Sequence, residues 1–300
     1  MAPFPNYDSP AELRRFLESR NLGMRKMYGQ NFLVNGSARK KLLDALEAGN
    51  GDAVWEIGPG LGAMTAGLLE RGALVTAFEI DRGFCAVLRE FFGASPAFTL
   101  IEGDALKTWP ENRASGDYLF GNLPYNTGAA LLADFIERKK HFKRMVVTVQ
   151  KEVARRMAAK PGSKDYSSFS LLCASSYRAT LLPVLKGSSF YPEPRVDSQG
   201  VRLDPVPGRE TASYPSCFFP LVRSLFSSRR KTVRNNLKAF IADSAARAAA
   251  GIPAREITEE ALALAGIQGG ERPERLGVEE FSALAGAVEK LLETGNRYGV

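Results

Sequence analysis

Ala53-Val54-Trp55-Glu56-Ile57-Gly58-Pro59-Gly60-Leu61-Gly62 is a short apolar run that ends in a glycine-rich loop. The pattern predicts a buried strand over Ala53 to Ile57, a tight turn, and a helix running to about Arg71. Glycines at a strand-to-helix turn permit positive φ and let backbone approach a ligand closely. Alone the loop is weak evidence, because Gly58, Gly60 and Ala63 also satisfy a loose dinucleotide pattern. Its neighbours narrow the reading. A second strand, Ala73 to Ile80, carries Glu79, 21 residues after Gly58, the usual spacing for an acid that accepts from ribose hydroxyls. A third, Phe98 to Ile101, leads into Gly103-Asp104-Ala105, where Asp104 is placed to accept from an adenine amino group. Ligands of open α/β sheets bind at the carboxyl ends of strands, and three such ends here each offer one adenosine-reading element. Each acid taken singly is equally an ordinary loop acid or helix cap.

The next strand, Asp117 to Phe120, is followed by Asn122-Leu123-Pro124-Tyr125. An asparagine amide, a carbonyl stiffened by the following proline and an aromatic ring can together grip a flat heterocycle. The Asn122 oxygen and the Leu123 carbonyl accept from an exocyclic amino group while Tyr125 stacks on the base. For four residues alone, a proline turn closing a loop is as good a reading. Three adenosine-reading loops ahead of it argue against that.

Gln30-Asn31-Phe32-Leu33, EIGPGLG at 56–62, Glu79, GDAL at 103–106 and NLPYN at 122–126 resemble the S-adenosylmethionine-dependent ribosomal RNA adenine dimethyltransferases. So do QKEVARRM at 150–157, FYPEPRVDS at 190–198, FSSRRKTVRNNLK at 226–238 and RPERLGVEEF at 272–281, so the likeness spans about residues 25 to 285. The resemblance implies a Rossmann-like α/β methyltransferase sheet with helices on both faces, finished by an antiparallel hairpin, plus a small all-helical C-terminal domain. It implies S-adenosylmethionine as methyl donor and no metal. Asn31 and Leu33 would touch the methionine and ribose end, Gly58 and Gly60 lie beneath it, Glu79 hold the ribose, Asp104 read adenine, and Asn122 adjoin the cofactor. Catalysis falls to Asn122, Leu123, Pro124 and Tyr125, with Phe190 as the second face of an aromatic sandwich or, alternatively, a core aromatic. The implied reaction is dimethylation of N6 on two adjacent adenosines near the 3′ end of small-subunit ribosomal RNA. A large-subunit methyltransferase of the macrolide-resistance type and a mainly non-catalytic ribosome-assembly factor stay open as alternatives. A Rossmann dehydrogenase is disfavoured by NLPY and by the lack of an acid–base candidate.

Composition agrees. Three hundred residues, 45% hydrophobic and 24% charged, make a globular chain able to bury a sizeable core. No apolar stretch reaches the ~20 residues of a membrane span, and Cys85, Cys173 and Cys217 have no metal or disulfide spacing. The expectation is a cytoplasmic monomer without membrane contact, whose partner is the small ribosomal subunit. His141, the single histidine, is given no catalytic role. Net charge is +7, but residues 138–164 hold ten Lys/Arg against one acid and 223–238 hold six against none, so the rest is net acidic. Concentrated basic segments fit a phosphate-backbone partner. Arg223, Arg229, Arg230, Lys231, Arg234 and Lys238 are the RNA-binding candidates. If the stretch is one helix, Arg223, Arg230, Arg234 and Lys238 line a stripe while Phe226, Val233, Leu237 and Phe240 face a core.

Three segments are expected: an N-terminal extension over 1–27, a catalytic domain over 28–204 and a helical docking domain over 205–300. Ser9-Pro10-Ala11-Glu12 predicts a capped helix over 10–20, with Pro3 and Pro5 marking a loose start. Phe169–Tyr177, Leu181–Leu185 and Gln199–Leu203 read as late strands, and Pro205, Pro207, Gly208, Pro215 and Pro220 as a linker. The alanine run 245–250 reads as helix.

Overall fold

A computed structural model describes residues 4–23, 30–123, 127–209, 214–228, 230–243 and 253–297, with 294–297 by backbone alone. Pro124, Tyr125, Arg229 and the alanine run lie outside them. The chain divides into two compact units, Met1–Arg155 with Arg178–Pro205, and Arg156–Tyr177 with Val206–Val300.

The first unit begins with α1 (Pro10–Ser19), a two-residue strand β1 (Phe32–Leu33) and α2 (Gly36–Leu46). Strands and helices then alternate: β2 (Ala53–Ile57), α3 (Ala63–Glu70), β3 (Leu74–Glu79), α4 (Arg82–Phe92), β4 (Phe98–Glu102), α5 (Ala105–Thr108), β5 (Tyr118–Asn122), α6 (Gly128–Glu137) and β6 (Arg144–Gln150). After α7 (Lys151–Met157) and α8 (Ser168–Ser176) come β7 (Tyr177–Leu185), β8 (Phe190–Tyr191) and β9 (Ser198–Pro205). Seven strands form one sheet in the order β4-β3-β2-β5-β6-β9-β7, and β1 pairs with β8 in a separate ribbon. β2 to β6 run parallel, and β9 returns antiparallel beside β6. This is the Rossmann-like sheet expected from the alternating pattern.

Period-two alternation in β2 shows how the sheet is covered on both faces. Val54 belongs to a core with Leu42 and Leu46 of α2, Leu68 of α3 and Leu88 of α4. Its neighbour Trp55 faces the other way, edge-on to Phe78 and Phe142 at 5.1 and 5.6 Å and beside Phe135 of α6 at 6.3 Å. The crossover connections force this double covering, because a parallel strand pair must be joined by an element lying on the sheet.

Helix α1 starts where the capping box places it, with the Ser9 hydroxyl accepting from the Glu12 N–H at 3.3 Å. Pro5 does not mark a loose start. Phe4, although exposed, meets Phe91 edge-on at 4.7 Å, and the Tyr7 hydroxyl donates to the Leu61 carbonyl at 2.8 Å, so the chain is tied to the fold on both sides of Pro5; Pro3 lies outside the described residues.

The second unit is helical: α8, α9 (Phe218–Ser227), α10 (Val233–Ala242), α11 (Ala254–Ala265) and α12 (Val278–Arg297). Phe218, Leu225, Val233, Leu237, Ile257 and Phe281 share its core. Phe169–Tyr177, expected as a strand, is mostly α8. Ser167 accepts from the Ser170 N–H while the Ser170 hydroxyl accepts from the Ser167 N–H, a capping box that starts a helix. A short apolar run buried all round carries no periodicity to choose between helix and strand. This segment, expected in the catalytic half, clusters with the helical unit. Pro220, expected in a linker, sits in the first turn of α9, where a missing N–H goes unused.

Glu56 breaks the apolar pattern of β2. It is 1% exposed, accepts from the Thr65 hydroxyl at 2.7 Å, and burial pushes its carboxyl up to about 7. A raised folded-state value means the folded chain holds the proton more tightly than the unfolded chain. That contribution is complete below the ordinary value of 4.5 and is lost as pH rises to about 7. Glu56→Gln is therefore expected to leave stability unchanged near pH 4 and to raise it at pH 8, by up to about 3 kcal/mol. Urea midpoints measured from pH 4 to 8.5 test this, and a difference that does not vary with pH would count against it.

Candidate active site

The carboxyl ends of β2, β3, β4 and β5 meet at one edge of the sheet, where the chain reverses its winding between β2 and β5. A cavity opens there, and Asn31, Leu33, Gly58, Gly60, Glu79, Asp104, Asn122 and Leu123 all line it. Eight positions chosen from separate motifs across 93 residues of chain thus converge on one site.

Glu79 ends β3 and is 5% exposed. Its Oε2 accepts from the Gly60 N–H at 3.0 Å and its Oε1 from the Asp81 N–H at 2.8 Å. Burial nevertheless wins over these two bonds and pushes its carboxyl up to about 7. The loop is shaped to receive it, since Gly58, Gly60 and Gly62 all have positive φ, at 66°, 58° and 84°. A Cβ on Gly62 would stand 2.4 Å from the Phe92 ring, so the loop also packs too closely for any side chain there.

Asp104 caps α5, its Oδ1 accepting from the Leu106 N–H at 3.1 Å, and it also lines the cavity. Asn122 is the last residue of β5. Its Nδ2 donates to the Asn31 carbonyl at 2.8 Å, and its Oδ1 accepts from the Thr148 hydroxyl. The amide is therefore oriented by two partners from different elements. Leu123 continues the ladder by donating its N–H to the Thr148 carbonyl at 3.0 Å.

Phe190 stands differently from its expected role as a stacking face. It pairs with Leu33 in the β1–β8 ribbon, is 4% exposed, belongs to the core and does not line the cavity. Its alternative as a core aromatic is what the fold uses, because the ribbon turns it inward. Phe32, on the neighbouring strand, lines the cavity instead. Tyr7, Glu56 and Thr148 were not singled out in the sequence, although a lone threonine in the buried run Met145–Val149 and a lone acid in β2 are visible signals. Tyr7 and Glu56 line the cavity.

The basic segments are less uniform than their composition. Within 138–164, Arg138 pairs with Asp134 at 2.9 Å, Lys143 with Asp117 at 2.8 Å, and Arg144 with Asp204 at 2.7 Å. Lys140 lies over the Trp55 ring at 4.4 Å and donates to the Gly116 carbonyl. These four serve the fold. Residues 223–238 do not form one helix: α9 ends at Ser227 and α10 begins at Val233. Asn236 stabilises the break, donating to the Leu225 and Ser228 carbonyls at 3.0 and 3.2 Å. The single stripe is thereby divided, with Arg223 on α9, Arg230 and Lys231 in the turn, and Arg234 and Lys238 on α10. Arg234 also pairs with Glu259 at 2.9 Å. Phe226, Val233 and Leu237 are buried as expected.

No group of three or more His, Cys, Asp or Glu able to hold a metal occurs among the described residues. No helix among them is long and apolar enough to cross a membrane.

The family model for ribosomal RNA adenine dimethylase matches residues 21–261. A "Ribosomal RNA small subunit methyltransferase A" of Treponema denticola is 40% identical over 294 residues, covering 96% of this chain and 97% of its own. One of the same description from Treponema pallidum is 41% identical over 290 residues, covering 96% and 99%. The crystal structure of a dimethyladenosine transferase from Plasmodium falciparum superposes with a TM-score of 0.73 at 26% identity, over 83% of this chain and 94% of that one. Convergent motifs, a methyltransferase sheet and relatives matched along nearly their whole length agree, and the chain belongs to the ribosomal RNA adenine dimethylase family, a family of enzymes.

Proposed function

We propose that this enzyme dimethylates the N6 amino groups of two adjacent adenosines near the 3′ end of small-subunit ribosomal RNA, with S-adenosylmethionine as donor, during small-subunit maturation. The observation that carries the reading is the Asn122 amide, fixed at the end of β5 on the cavity that Gly58, Glu79 and Asp104 also line. The Treponema relatives, similar along nearly their full length, support the small-subunit target. Free cysteines at 85, 173 and 217 support a reducing, cytoplasmic setting; the ribosomal particle as partner and a single chain as the working unit belong to the same proposal.

The residues fit the donor. Gly58 has no atom within 4 Å of where a Cβ would stand, so its bare Cα faces open space on the cavity wall. A carboxylate oxygen has more than one acceptor direction, so Glu79 can hold ribose hydroxyls while keeping its two backbone bonds. Asp104 uses Oδ1 as a cap and has Oδ2 for an adenine amino group. S-adenosylmethionine supplies a methyl carbon made electrophilic by its sulfonium. The chain supplies position and polarity. An adenine N6 is a weak nucleophile because its lone pair is delocalised into the ring. Two acceptors, Asn122 Oδ1 and the Leu123 carbonyl, favour a more tetrahedral nitrogen and direct its lone pair. No side chain needs to form a covalent bond.

Incubation with methyl-labelled donor and undermethylated small or large subunits, followed by mass spectrometry of RNA fragments, tests the target. Label on two adjacent adenosines near the small-subunit 3′ end is expected, and label confined to the large subunit would overturn the assignment. On that substrate Asn122→Ala is expected to slow single-turnover transfer on the order of 10²-fold, in a variant that still folds.

Glu79 gives a pH signature. Its carboxyl titrates at about 7, and hydroxyl donors favour the charged form, so donor affinity is expected to fall as pH drops below about 7. One proton sets the limit at about tenfold per pH unit. Calorimetry should find weaker binding in Glu79→Gln and the loss of that part of the pH dependence. Glu56 titrates in the same range on the same cavity, so Glu56→Gln, which should keep the slope, is the control.

Arg230, Lys231 and Lys238 are exposed in the helical unit. Their joint change to Glu is expected to leave donor affinity intact and to abolish productive binding to the ribosomal particle. The log–log salt slope should flatten by about 0.7–0.9 or less per lost phosphate contact. A control reversal of three basic residues in 272–297 that weakened binding equally would remove these residues from the docking surface.

A further inference from the structure

Thr148 is an unassigned residue that bonds one proposed N6 acceptor, Asn122 Oδ1, and the backbone N–H of the residue that carries the other, Leu123. It lies on β6 as the register partner of Asn122 on β5, so parallel pairing sets the two side chains next to each other on one face. Its side chain is the only hydroxyl in Arg144-Met145-Val146-Val147-Thr148-Val149-Gln150, and it is 1% exposed. That hydroxyl donates to Asn122 Oδ1, while the Thr148 carbonyl accepts the Leu123 N–H at 3.0 Å. The Asn122 Nδ2 bond to the Asn31 carbonyl, at 2.8 Å, forbids the flipped amide, since flipping would set oxygen against oxygen. One residue therefore holds the amide through its side chain and the following peptide through its backbone.

We propose that Thr148 is the positioning residue that makes the second methylation possible, an inference that rests on the N6-dimethylation reading above. Each transfer exchanges one N–H for an N–C bond; the proton passes to water and the S–C electron pair remains on the donor's sulfur. In the first transfer the amino group has two N–H bonds, one for Asn122 Oδ1 and one for the Leu123 carbonyl. In the second it has one. One acceptor must then lose its partner inside a buried site, which is unfavourable for a group without another bond. Asn122 Oδ1 has another bond, to Thr148, so the amide remains both satisfied and oriented when the monomethyl base returns.

The discriminating change is Thr148→Val, which keeps the shape and removes the hydroxyl, compared with Thr148→Ser, which keeps the hydroxyl and removes the methyl group. Single-turnover assays on undermethylated small subunits, with mono- and dimethyladenosine quantified by mass spectrometry of RNA digests, read the two steps separately. Thr148→Val is expected to slow the second transfer about tenfold more than the first, so monomethyladenosine accumulates, with donor affinity unchanged. Thr148→Ser is expected to restore the wild-type product ratio. A merely structural role would lower the melting temperature and slow both steps alike. Equal impairment of Val and Ser variants, or a wild-type product ratio in Thr148→Val, would overturn the proposal. Should the wild-type enzyme leave small subunits unmethylated, the target reading fails instead, and the protein alone still decides the positioning role. Isotope-labelled Asn122 side-chain amide signals, assigned by their loss in Asn122→Asp, should shift in Thr148→Val and stay in Thr148→Ser. Unchanged signals in Thr148→Val would show that the hydroxyl does not hold the amide.

Discussion

A carboxylate buried at the end of β3 ties the site together. Glu79 accepts from the Gly60 N–H in the loop after β2 and from the Asp81 N–H that precedes α4. Its own carbonyl accepts from the Gly103 N–H at 2.8 Å, in the loop after β4. Three carboxyl-end loops are thus fastened to one residue, and the positive φ of the glycines lets the loop after β2 reach it. The arrangement opposes the electrostatics of the residue itself. Desolvation pushes the Glu79 carboxyl upward while the two backbone donors push it downward, and desolvation prevails. A group balanced in this way is poised to respond to further donors, as ribose hydroxyls would be.

The same economy governs the other wall. Asp104 caps a helix, Asn122 extends a ladder and Asn31 lends its carbonyl to the Asn122 amide, so the polar groups on this wall of the cavity are held by bonds to the fold. Preorganisation of this kind is met by the free energy of folding, so no reorganisation is needed at the moment of reaction. It also explains why Tyr7 belongs to the site although it lies in the N-terminal extension. Its hydroxyl bonds the Leu61 carbonyl, so the start of the chain buttresses the glycine loop from outside the alternating strands and helices.

Much of this was legible in the sequence, for identifiable reasons. Strands β2 to β5 are short apolar runs whose ends are marked in the sequence by glycines, acids and an asparagine, so the motifs placed Gly58, Glu79, Asp104 and Asn122 at strand ends, which the structure brings to one cavity. What was not legible depends on tertiary partners. Phe190 reads as an aromatic beside a proline loop, and only pairing with Leu33 turns it inward. Phe169 to Ser176 is apolar without period, and the choice of helix lies in two serines that bond each other's backbone. Thr148 gained meaning only from its register with Asn122, a relation between segments 26 residues apart.

Charge shows the limit most clearly. Counting Lys and Arg over 138–164 treats them as one surface, yet Arg138, Lys143 and Arg144 face carboxylates and Lys140 covers Trp55. A cation already paired has less to offer a phosphate, because forming the new contact means giving up the old one. Arg234 illustrates this within the second basic segment. Its pairing with Glu259 links α10 to α11, and with both groups half-exposed the pair adds little to stability. It does set the direction in which Arg234 points. The turn between α9 and α10 differs: Arg230 and Lys231 follow the Ser228 carbonyl that Asn236 holds, and both stay exposed to solvent. The basic footprint of this chain is therefore narrower than its net charge implies.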